Sequence, residues 1–188
     1  NWRILFQKVN LHTMSYFISI IILAFIFLVL VTFALGGILA APWVPLWKKD
    51  IRRMLKLAEV KPGETVYDLG AGDGRIIIMA GQEFGARAIG YEIAILPYLA
   101  GHAKILLKGL SKSVKLKYRN FFAVNLGSAD VVCVFLTPEA MKKLGPKFKN
   151  ELKTGCRIVS YAFSLPDWPA EKIDKPETKM TSIYLYRR

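Results

Sequence analysis

Hydrophobic and polar positions divide this chain into two unlike parts. From Tyr16 to Ala41 the residues are almost continuously apolar, and no Asp, Glu, Lys or Arg occurs between Lys8 and Lys48. A helix rising ~1.5 Å per residue needs about 20 residues to cross the hydrocarbon of a bilayer, so this run predicts one transmembrane helix over 16–41. It exceeds the ~7–15 residue core of a cleaved signal sequence. After Lys48 the pattern changes. Ile51, Met54, Leu55 and Ala58 fall at helical spacing and Lys61-Pro62-Gly63 ends the helix. Short β-rich runs then alternate with helical segments: strands over Thr65 to Leu69, Arg87 to Ile93, Val114 to Arg119, Asp130 to Leu136 and Cys156 to Phe163; helices from Ile76 toward Phe84, Ala94 to Leu107 and Glu139 to Leu152. Such alternation predicts an α/β fold with a mostly parallel, Rossmann-like sheet and helices on both faces. Pro166, Pro169 and Pro176 oppose a crossover helix before the run Ser182 to Tyr186, which is therefore expected to return antiparallel. The predicted organisation is a flank over 1–15, a span over 16–41 and one domain over 42–188.

Composition sharpens this picture. The 188 residues carry 27 Lys plus Arg against 14 Asp plus Glu, a net charge of +13. Setting aside Arg3 and Lys8 leaves 25 basic residues from Lys48 onward, enough sequence for one compact domain and not two. Lys48, Lys49, Arg52, Arg53 and Lys56 outnumber Arg3 and Lys8 across the apolar run, so the positive-inside rule puts the domain in the cytoplasm of a single-pass cell-membrane protein. Trp43 and Trp47 are expected near the interface, and Gly36 with Ala40 and Gly37 with Ala41 have the spacing of closely packing helices. Cys133 and Cys156 form no closely spaced pair and the two histidines are isolated, which argues against a disulfide framework or a metal site.

Ligands of open α/β sheets bind at the carboxyl ends of the strands, near the switch in strand order. The first such exit reads Asp68-Leu69-Gly70-Ala71-Gly72-Asp73-Gly74-Arg75. A dinucleotide fingerprint would place its third glycine at position 75, which is Arg. Asp68 and Asp73 would repel a pyrophosphate but suit an ammonium or sulfonium. Glu92, ending the neighbouring strand, is suited to ribose hydroxyls, and Asn120 and Phe121 offer an amide and an aromatic face to an adenine. In that order, at successive strand ends, these groups point to S-adenosylmethionine.

DLGAGDGR followed by Tyr91-Glu92 resembles the first two motifs of class I S-adenosylmethionine-dependent methyltransferases. APWVP, FLTP and VSYAFSLPDW are further similar to small membrane-tethered relatives of the FAM173-type protein-lysine methyltransferases. The resemblance implies methyl transfer to a lysine amine of a membrane protein, with Asp68, Gly70, Ala71, Gly72 and Asp73 holding the amino-acid part of the cofactor, Glu92 the ribose, and Asn120 and Phe121 the adenine. Many relatives have Thr-Pro where this chain has Leu46-Trp47, and Asp where it has Asn120.

Transfer from a sulfonium requires mainly alignment and exclusion of water. Thr137 and Tyr161, at the exits of the fourth and fifth strands, are the candidates to orient the acceptor amine, with Pro138, Glu139, Phe163 and Trp168 beside them. Three rival readings remain at this stage. A phospholipid or small-amine methyltransferase would use the same anchor, and a non-catalytic cofactor-binding scaffold would bind without turnover. A nucleic-acid enzyme would suit Lys112, Lys115, Lys117 and Arg119, but FLTP lacks the Asn or Asp and paired prolines of amino-methylating enzymes. Cys133 also lacks the preceding proline of a cytosine C5 nucleophile. Lys142, Lys143, Lys147, Lys149 and Lys153 read as a solvated helix face, and the charge excess suits an anionic leaflet.

Overall fold

The computed structural model describes the backbone of residues 2–39 and 44–188; the side chains of 2–11, 33 and 35–39 are not described. Helix α1 runs from Trp2 to Leu39, so it extends back through most of the 1–15 flank. Within it, His12–Thr32 is long and apolar enough to cross a membrane, and apart from Thr32, which is buried beside Ile95, its side chains are not buried against the rest of the chain. Ala40, Ala41 and Trp43 lie outside the described residues, and with them the Gly36–Ala40 and Gly37–Ala41 pairs and the interfacial placement of Trp43.

The domain begins with α2 (Lys48–Leu57), followed by β1 (Thr65–Leu69), α3 (Arg75–Phe84), β2 (Arg87–Glu92), α4 (Ile95–Leu107), β3 (Val114–Tyr118), a single 3-10 turn (Phe121–Ala123), β4 (Val131–Val134), α5 (Pro138–Glu151), β5 (Arg157–Tyr161), β6 (Lys172–Asp174) and β7 (Ile183–Arg187). The seven strands are ordered β3-β2-β1-β4-β5-β7-β6. β1 to β5 pair in parallel, and β7 returns antiparallel beside β5, as the prolines before it predict. β6 is an unforeseen three-residue edge strand pairing antiparallel with β7.

Alternating strand residues feed two cores. Val66, Cys133 and Val159 lie on one face, against helices α2 and α3; Tyr67, Leu69, Val132 and Ile158 lie on the other, with Met141, Leu144 and Phe148 of α5. The leading helix docks through Ile51, Met54 and Leu55, each fully buried. At about 1.5–3 kcal/mol per buried side chain, these three residues hold α2 to the sheet despite its five basic residues. The chain leaves β1 for β2 on one side and β4 on the other. The switch in strand order, and the crevice that accompanies it, therefore fall at the carboxyl end of β1, where the glycine-rich turn begins.

Candidate active site

The turn after β1 folds back over the end of β2. The backbone N–H groups of Gly70 and Ala71 both donate to the Tyr91 carbonyl, at 3.0 Å each. Gly70 has φ 83°, and a Cβ there would come within 3.1 Å of Leu136 Cδ2, so a side chain would be strained and tightly packed. A second glycine supports the turn from below. Gly101, in the middle of α4, is so close that an added Cβ would lie 2.8 Å from the Asp73 carbonyl carbon.

Parallel pairing sets Asp68 opposite Gly90, which brings Glu92 to the rim of the same crevice. The Glu92 carboxylate, largely buried, accepts the N–H of Gly72 on Oε2 at 2.8 Å, and those of Ile93 and Ala94 on Oε1 at 2.8 and 2.6 Å. Three of its roughly four lone-pair positions are thus used by backbone, and the remaining capacity lies on Oε2. Glu92 thereby fixes the glycine turn and still presents one oxygen to a hydroxyl.

Asp68 differs. Its carboxylate is 2% exposed and its Oδ2 is buried with no hydrogen-bond partner. Burial, and then the negative charges of Glu92 and Asp73, push its pKa up to about 8. An orphaned buried acceptor is rare in a folded protein and costs about 1–3 kcal/mol, so its retention signals a missing partner. A ligand ammonium supplies both the hydrogen bond and the positive charge that this oxygen lacks. The residues present therefore fit the amino-acid end of S-adenosylmethionine.

Asp73 is already satisfied. Arg75 grips it through two bonds of 2.9 Å, and Lys104 reaches Oδ2 at 2.5 Å. Burial alone would raise its pKa, but these cations hold it below the usual carboxylate value. Arg75 also donates to the Leu46 carbonyl at 2.6 Å, so the position that denies the chain a dinucleotide fingerprint ties the segment before α2 to the glycine turn.

The other predicted contacts are placed as follows. Asn120 Oδ1 accepts the Phe122 N–H at 2.9 Å and caps the 3-10 turn, leaving its amide N–H groups for a ligand. Phe121 is buried on the α5 side of the sheet with its ring centroid 4.5 Å from that of Phe122; it is Phe122 that is half-buried. Thr137 caps α5, accepting the Ala140 N–H at 3.4 Å. Tyr161 ends β5 on the same face as Cys133, the strand neighbour of Asp68. Ala162 follows it with φ 70°, a strained conformation for a residue with a side chain, and the chain bends so that Phe163 is exposed. Pro138 and Glu139 are exposed on the first turn of α5. Trp168 packs on the opposite face beside Tyr186, at a centroid distance of 6.4 Å, and so is not gathered with Tyr161.

Sequence reasoning missed Asp50. This carboxylate, 5% exposed in the first turn of α2, accepts the Tyr161 hydroxyl at 3.3 Å and pairs with Arg53 at 2.9 Å. An Asp in the first turn of a helix ordinarily answers the helix dipole. The available signal was its position among Ile51, Met54 and Leu55, on the face that packs inward.

The cysteines show no nucleophilic character. Burial pushes the Cys133 thiol well above its ordinary value and that of Cys156 up to about 12. Among the described residues no three His, Cys, Asp or Glu side chains are grouped to hold a metal ion.

Comparison with known proteins assigns the chain to a family. The ANTKMT methyltransferase domain family matches residues 68–172, from Asp68 to the first residue of β6. A protein-lysine N-methyltransferase of Saccharolobus islandicus is 40% identical over 148 residues, covering 77% of this chain and 92% of that protein. The adenine nucleotide translocase lysine N-methyltransferase of Mus musculus is 37% identical over 132 residues; the match covers 69% of this chain and 56% of the relative, so the chain spans little more than half the mouse protein. Among solved structures, an RNA methyltransferase from Salinibacter ruber in complex with S-adenosyl-L-homocysteine superposes with a TM-score of 0.73 at 31% identity, covering 77% of this chain and 93% of that one. On the family match and these identities, the chain belongs to the ANTKMT methyltransferase family and is an S-adenosylmethionine-dependent methyltransferase.

Proposed function

We propose that the protein methylates the side-chain amine of a lysine in a protein held at a membrane, with α1 as its own anchor. The lysine reading rests on the 40% identity to a protein-lysine N-methyltransferase along nearly all of that relative's length. The membrane reading rests on the exposed apolar stretch His12–Thr32, a length of unburied hydrocarbon that water does not favour.

Asp68, with its free Oδ2, is assigned to the cofactor's ammonium; Glu92 Oε2 to the ribose; the Asn120 amide to the adenine. Asp73, held by Arg75 and Lys104, orders the turn. The bound cofactor supplies an electrophilic methyl carbon on a positively charged sulfur, a leaving group that needs no further activation. The chain's own task is the acceptor. A lysine with a reference pKa of ~10.4 is neutral in only about one molecule in 2,500 at pH 7, so the site must orient the amine and favour its neutral form. The Tyr161 hydroxyl donates to Asp50, which leaves its oxygen lone pairs to accept an N–H of the incoming amine. Asp50 fixes that orientation. Tyr161→Phe is accordingly expected to lower kcat by roughly 10- to 100-fold while leaving cofactor affinity within about twofold. An unchanged kcat, measured with a lysine acceptor, removes Tyr161 from the site.

The acceptor class is tested by incubating the full chain in membranes with methyl-labelled cofactor and separating protein, lipid and nucleic acid. Radioactivity recovered as methylated lysine in membrane protein is the expected result. Incorporation confined to extractable lipid, or to RNA as the name of the Salinibacter ruber structure would suggest, overturns the lysine assignment.

A further inference from the structure

Helix α4 is apolar on both sides. Pro97, Gly101 and Ile105 are buried beneath it, while Leu96, Leu99, Leu106 and Leu107 remain 43%, 50%, 57% and 88% exposed on the outside. Positions 96, 99, 103 and 106 recur at helical spacing, with Ala103 also exposed, so they form one stripe along a helix about 20 Å long. A helix that is apolar all round is normally covered all round, and a contiguous exposed apolar stripe marks a contact surface.

Two features identify what covers this one. The first is continuity with α1. The Ile95 N–H, at the start of α4, donates to Thr32 Oγ1 at 3.4 Å, and Thr32 lies within the apolar run that continues to Ala41. A bilayer holding that run therefore reaches the part of α1 that lies beside the first turn of α4. The second is charge. No acidic residue occurs between Glu92 and Asp130, whereas Lys108, Lys112, Lys115, Lys117 and Arg119 are all exposed at the end of α4 and along the edge strand β3. An apolar stripe rimmed by cations, with no anion among them, complements anionic headgroups over acyl chains.

We propose that the outer face of α4 rests on the anionic leaflet in which α1 is embedded, with Leu96, Leu99, Leu106 and Leu107 entering the headgroup–acyl boundary. This rests on the reading of α1 as an anchor. The consequence is positional. α4 carries Lys104, bonded to Asp73 at 2.5 Å, and Gly101, packed under the same turn. Docking this helix fixes the cofactor crevice at headgroup height, where it reaches lysines close to the membrane surface and not those on distant extramembrane domains.

The test uses the full chain reconstituted into phosphatidylglycerol–phosphatidylcholine vesicles, with one new cysteine bearing an environment-sensitive fluorophore; Cys133 and Cys156 are buried and react slowly. Labels at Leu99→Cys and Leu106→Cys are expected to be at least about threefold less quenched by aqueous iodide than one at Lys172→Cys on β6, and to be quenched by lipids carrying a shallow nitroxide. A label at Ile21→Cys in α1 reports the anchor separately. If that label is quenched from mid-bilayer while the α4 labels stay as open to iodide as the β6 label, the docking proposal falls and the anchor stands. If the Ile21 label itself stays in water, both fall. Protection of α4 that appears only with added acceptor protein, or label-to-label quenching between copies without lipid, assigns the face to a protein partner and overturns the proposal.

Discussion

Asp68→Asn is expected to weaken S-adenosylmethionine binding by about 100-fold or more and, at the same time, to make the ligand-free protein more stable. The first effect follows from leaving a buried ammonium without its counter-charge, a loss of roughly 3–5 kcal/mol, which is about two to four orders of magnitude in affinity. The second follows from the orphaned Oδ2 and the pKa pushed up to about 8. A carboxyl whose folded pKa lies above its unfolded value contributes its full stability below that unfolded value, near pH 4, and loses it as pH rises through about 8. The amide has no charge to bury. The melting-temperature advantage of Asp68→Asn over the parent should therefore grow from about pH 5 to pH 8.5 in thermal scans without ligand. A variant that binds weakly because it is unfolded would melt lower, so the two effects together distinguish a lost contact from a lost fold.

Gly101→Ala is expected to destabilise the domain and to lower cofactor affinity about tenfold, against the trend for helices. Alanine in a helix interior is ordinarily better than glycine by about 1 kcal/mol. Here the new Cβ would lie 2.6 Å from Leu116 Cδ2 and 2.8 Å from the Asp73 carbonyl carbon; the leucine end can turn aside, but the backbone of the glycine turn cannot. Overpacking of this kind costs about 1–3 kcal/mol and shifts the turn whose Gly72 N–H meets Glu92. Gly145 in α5 is the control, because a Cβ there meets nothing within 4 Å. Gly145→Ala should raise the denaturant midpoint while Gly101→Ala lowers it; two shifts of the same sign would remove the close approach as a determinant of the turn.

What the sequence made legible was whatever depends on local periodicity and strand order. Alternating apolar runs located the five parallel strands, and because consecutive strand ends converge in such a sheet, the pattern itself places Asp68 and Glu92 at one crevice. The three-residue β6 escaped because Lys172-Ile173-Asp174 is too short to alternate and lies at an exposed edge. The start of α1 at Trp2 escaped because apolarity marks the stretch that suits a bilayer and not where hydrogen bonding of the helix begins. Phe121 was read as a ligand surface, yet a 3-10 turn after a strand can aim a ring either way, and here it enters the α5 side of the core. Asp50 and Gly101 carry meaning only through partners distant in sequence, Tyr161 and Asp73, which no spacing rule connects.

The central claim is that a carboxyl left incomplete in the ligand-free protein is completed by a cationic cofactor. Calorimetric titration of the full chain with S-adenosylmethionine at about pH 6.5, in two buffers of different ionisation enthalpy, measures it through the protons exchanged on binding. With Asp68 near pKa 8 before binding and ionised after it, the account requires release of close to one proton, abolished in Asp68→Asn. Binding with no proton release, or with the same release in the variant, would contradict it.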